Sequence, residues 1–84
     1  MKLTAQIQDV VLAETQQAAR RVAWRYERRD KDGWRKSWGF VYLNVTDRIG
    51  RMSELPGHFE FWLRRTALGE AHKYYRAERS ASLV

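Results

Sequence analysis

The 84-residue sequence predicts a small single α+β domain: an N-terminal helix, a central antiparallel β-hairpin and a C-terminal helix packed on the hairpin's aromatic face. Three observations lead there. Between residues 22 and 45 aromatic side chains recur at period two, the spacing of one face of a strand. Within that stretch Asp30-Lys31-Asp32-Gly33 has the composition of a type I turn followed by a glycine bulge. On both flanks apolar residues repeat at helical spacing.

The first helix starts at Thr4 or Asp9, either of which can cap it, and runs to about Arg20. Ile7, Val10, Val11, Leu12, Ala18 and Ala19 form its stripe, which is weak at Glu14 and Thr15, so the helix depends on the sheet beneath it. Leu3, Ala5 and Ile7 also alternate, which leaves room for a short strand ahead of it.

In the hairpin, a loop at residues 31–33 with Gly33 in the left-handed conformation sets the register. Tyr26 then faces Trp38, Trp24 faces Phe40 and Val22 faces Tyr42, giving an aromatic ladder. The other face carries Arg21, Arg25 and Arg29 against Arg35, with Lys31 at the tip and Arg28 and Lys36 at the strand edges. A two- or four-residue loop would turn the second strand over and point Trp38, Phe40 and Tyr42 outward. A helical reading of residues 16–29 competes, because Ala, Gln, Arg and Glu favour helix and Gly33 would then be a stop signal. The alternating aromatics decide for the strand.

The stretch WRYERRDKDGWRK, residues 24–36, resembles the first hairpin of the arm-binding domains of tyrosine recombinases, which present a W-x-Y and DKDG-K-R pattern on a small DNA-binding sheet. The resemblance covers those residues alone, and no residue role is carried over from it.

Residues 44–53 read as a connector with room for a helical turn or a third short strand. The last helix begins after Ser53 or Gly57, with Pro56 in its first turn, where a missing N–H does no harm. Phe59, Trp62, Leu63, Ala67, Ala71 and Tyr74 form its buried stripe, widened by Phe61, Leu68 and Tyr75. Glu60 and Arg64 are spaced for an i to i+4 ion pair. Gly69 inside the pattern implies a kink, a close packing contact or a break.

Twelve Arg and four Lys against ten acidic residues give a net charge of +6. That balance draws polyanions, and arginine adds bidentate phosphate geometry and stacking. The expected partner is nucleic acid or an acidic protein surface, with no membrane, since no run approaches a membrane span. With no cysteine the chain has no disulfide or thiolate metal site and suits a reducing cytoplasm. His58 and His72 lack the spacing of metal ligands, and no phosphate loop or nucleophile elbow is present. No cofactor, metal or catalytic residue is expected.

Two basic groups remain as binding candidates: Arg21, Arg25, Arg29, Lys31, Arg35 and Lys36 on the hairpin, and Arg64, Arg65, Lys73 and Arg76 on the last helix. The leading expectation is a non-enzymatic module that engages nucleic acid through the arginine face. An alternative is a phage- or plasmid-type accessory protein that inhibits or adapts a nucleic-acid-handling host protein. A third is a small toxin-type ribonuclease built on His72, Tyr74, Tyr75 and Arg76.

Overall fold

The structure, a computed structural model, describes residues 3–26 and 32–82. Three helices account for most of them, α1 (Ala5–Tyr26), α2 (Trp34–Gly50) and α3 (Phe59–Ser82), and no strand occurs among the described residues. The α+β expectation is therefore overturned. With it go the hairpin, the question of its register and the likeness to a recombinase hairpin.

The period-two signal failed because the same residues also satisfy the helical period. Trp34, Trp38 and Tyr42 are spaced four apart, and their rings follow one another at 6.1 and 6.0 Å along one side of α2. Ser37, Val41, Val45 and Ile49, also four apart, are the buried residues of that helix. Packing of this stripe outweighs the modest strand preference of the two valines and the isoleucine. In α1 the helical reading of residues 16–29 prevails as far as Tyr26, beyond which Arg29 and Lys31 lie outside the described residues.

Gly33 is not left-handed. At φ −58° and ψ −27° it is right-handed helical backbone at the start of α2. The carbonyls of Asp32 and Gly33 accept from the Arg35 and Lys36 amides at 3.1 and 3.2 Å. The expected connector at residues 44–53 is mostly helix. α2 ends with the Arg51 amide shared between the Asp47 and Arg48 carbonyls, both at 3.2 Å.

Thr4 caps α1, its Oγ1 accepting from the Ile7 amide at 3.3 Å. Pro56 precedes α3 and is not in its first turn. Gly69 does not break α3, and a Cβ there would meet nothing within 4 Å. At 1.5 Å per residue the 24 residues of α3 span about 36 Å. This matches the long dimension of a 40 × 24 × 18 Å molecule, so α3 runs the length of the bundle.

The core is aliphatic and fine-grained. Val11, Val22, Val41, Val45, Ile49 and Leu63 fill it, with alanines 18, 19 and 23 from α1 and 67 and 71 from α3. Buried alanines let helix axes approach closely. Most aromatics therefore sit around this core, half-buried, with Tyr75 alone inside it. Phe61, expected to widen the buried stripe, is 66% exposed.

Buried polar side chains bond both within their own helix and across helices. Thr15 Oγ1 donates to the Val11 carbonyl at 2.7 Å, and Ser37 Oγ to the Trp34 carbonyl at 3.0 Å. The Trp38 indole donates to Thr15 Oγ1 at 3.1 Å, and the Tyr75 hydroxyl to Ser37 Oγ at 3.2 Å.

Candidate nucleic-acid interface

The helical periods of α1 and α3 bring basic side chains to one seam. On α1, Gln17, Arg21 and Arg25 are spaced four apart; on α3, Arg64, Leu68, His72 and Arg76 are too. Where the two helices pack, these rows border an open groove. One end, about 260 Å³, is lined by Glu14, Gln17, Ala18, Arg21, Arg64 and Leu68. The other, about 410 Å³, is lined by Arg21, Val22, Trp24, Arg25, Leu68 and His72. Arg21 and Leu68 line both, so the two recesses are neighbours along the α1–α3 seam.

Its electrostatics are one-sided. Glu14 is the one acid among the lining residues, and it is held at 3.3 Å by the Arg64 Nε. Arg64 thus pairs across helices, where the sequence suggested Glu60. Among the described residues neither Arg21 nor Arg25 has an acidic partner. His72 reports the same field: its pKa lies below the usual imidazole value, first through burial, then through the Arg76 and Arg25 guanidiniums. Its Nδ1 lies 3.4 Å from the Tyr26 hydroxyl, and the Tyr26 ring stacks on Tyr75 at 5.2 Å.

Of the residues singled out from sequence, Arg21, Arg25 and Arg64 line this groove and Arg76 adjoins it through His72. The structure therefore joins members of two groups that the sequence reading kept apart. Arg35 and Lys36 are elsewhere, on the exposed first turn of α2, where the Arg35 guanidinium lies 5.6 Å from the Trp34 ring. Arg65 and Lys73 are exposed on α3 without lining the groove.

One participant escaped the sequence reading: Trp24, assigned to the aromatic ladder, is 63% exposed at the groove. Arg20 lines neither recess and places its guanidinium 4.5 Å from the Trp34 ring. The i to i+4 spacing of Gln17, Arg21 and Arg25 was the available signal for the basic row, once the segment is read as helix.

Of the residues named for a ribonuclease, the Tyr74 hydroxyl donates to Glu78 at 2.8 Å, while that of Tyr75 is turned inward to Ser37 and the Gly33 carbonyl. No group of three or more potential metal ligands occurs among the described residues, and none of their helices is long and apolar enough to cross a membrane. No family model matches the chain, and no curated protein or solved structure does either.

Proposed function

We propose that this protein is a non-enzymatic nucleic-acid-binding module whose contact surface is the α1–α3 groove. The observation that carries the reading is the placement of Arg21 and Arg25, which have no acidic partner among the described residues, on a recess whose single acid, Glu14, is already paired with Arg64. Guanidiniums along a recess track a phosphate backbone, and the chain's charge of +6 speeds encounter with it. A cytoplasmic setting fits a chain without cysteine.

The test is a titration of labelled oligonucleotides at several salt concentrations. Affinity should fall with salt at a log–log slope of about −0.7 to −0.9 per neutralised phosphate. Arg21→Glu with Arg25→Glu should remove binding, while Arg35→Glu with Lys36→Glu, equal in charge change, should remove far less. Affinity weaker than micromolar at low salt for single and double strands alike would overturn the reading. Capture of a stoichiometric acidic protein from nuclease-treated lysate, lost in the same Arg21 and Arg25 variant, would replace it with a protein-binding role.

A further inference from the structure

Trp24 stands apart from the other tryptophans. Trp34 and Trp38 are in ring contact with each other, and Trp62 stacks on Phe59. Among the described residues the Trp24 indole meets no other ring and no guanidinium. It is nonetheless 63% exposed, at a recess that is also lined by Arg21, Val22, Arg25, Leu68 and His72. A large apolar ring is costly to leave in water, and Arg21 and Arg25, which line the same recess, select what can cover it. A lipid tail or an apolar helix would desolvate those arginines without neutralising them. An unpaired nucleobase covers the ring while its own phosphates meet the guanidiniums.

The shape of the surface argues against a duplex. Duplex sequence is read by an element that protrudes into a major groove roughly 12 Å wide. Here the basic side chains border a recess between two packed helices, which side by side are roughly 20 Å across. Such a pair cannot enter that groove, so a duplex could offer its phosphates to the arginines but no base to Trp24. A flexible single strand can lie along the recess.

We infer that the slot at Trp24 stacks an unpaired nucleobase, so that the ligand class of the groove is single-stranded nucleic acid; this rests on the nucleic-acid reading above. In this arrangement Arg21 and Arg25 hold the phosphates that flank the stacked base. Leu68 supplies the apolar floor, and His72 closes the end of the slot toward Tyr26.

Fluorescence anisotropy at low salt tests this with four 12-nucleotide probes: deoxyadenylate, deoxythymidylate, an abasic strand with the same phosphates, and a duplex. The base-bearing single strands should bind about ten-fold or more tighter than the abasic strand. Trp24→Ala should erase that difference, and Trp24→Phe should keep most of it. The abasic comparison in the unaltered protein needs no variant, and helical circular dichroism verifies the fold of each one. Equal salt-sensitive binding of all four probes, or a preference for the duplex, would overturn base stacking while leaving the nucleic-acid reading in place. Absence of binding to every probe would remove both.

Discussion

Arg48 Nη2 donates to Glu70 Oε1 at 2.7 Å, tying α2 to a carboxylate that is almost entirely buried. Asn44 Nδ2 donates to the second oxygen, Oε2, at 3.0 Å. The two partners are unequal, because about half of the Arg48 side chain faces water and almost none of Glu70 does. Loss of the arginine leaves a buried carboxylate with one neutral donor. Loss of the carboxylate's charge leaves a guanidinium that can rehydrate. Arg48→Met is expected to cost about 2–3 kcal/mol and Glu70→Gln about 1 kcal/mol. Denaturant midpoints at unchanged m-value measure both, and the reverse order would contradict the assignment.

Thr15 and Trp38 should be energetically coupled. The Thr15 hydroxyl donates within α1 and accepts the Trp38 indole N–H from α2. Thr15→Val and Trp38→Phe each break that link, so the double variant should lose about 1 kcal/mol less than the two single losses added together. Additive losses would show that the indole bond contributes nothing.

Gly39 and Gly69 lie inside continuous helices on open surface, where an added Cβ meets nothing within 4 Å. Each replaced by alanine should stabilise the fold by roughly 0.5–1 kcal/mol. Thermal unfolding reads each gain as a rise of a few degrees. A fall at either position would mean that something packs on that turn.

His72 gives stability and binding opposite responses to acid. Its folded pKa lies below the unfolded value of about 6.5. Between those two values the unfolded chain holds a proton that the folded chain does not. Its contribution to stability is therefore full above about pH 6.5 and is lost as pH falls to the folded pKa. A bound polyanion offsets the repulsion from Arg25 and Arg76, so affinity should rise over the same interval. His72→Gln should flatten both trends, which urea titrations and anisotropy at matched ionic strength would show.

Much of the helical content was legible in the sequence: the Thr4 cap, the stripe through Val11 and Ala18, and the Leu63, Ala67 and Ala71 repeat. The middle of the chain was not, because Trp34, Trp38 and Tyr42 satisfy both periods at once. Only their burial distinguishes the two, and burial depends on partners far along the chain. The arginines of the groove were visible as residue types. Their grouping was hidden, since Arg21 and Arg25 meet Arg64 only after α1 and α3 pack. The exposure of Trp24 had no signal at all, because tryptophan is ordinarily a core residue.

The buried alanines of α1 and α3 make the width of the groove an adjustable dimension. With small methyl groups buried beside Val11, Val22 and Leu63, carbons added at Ala18 or Ala67 would press on the packing of the two helices and widen the channel between their arginine rows. Its charges would be untouched. Ligand fit and electrostatic attraction thus reside in separate sets of residues, and an engineer could tune one while holding the other fixed.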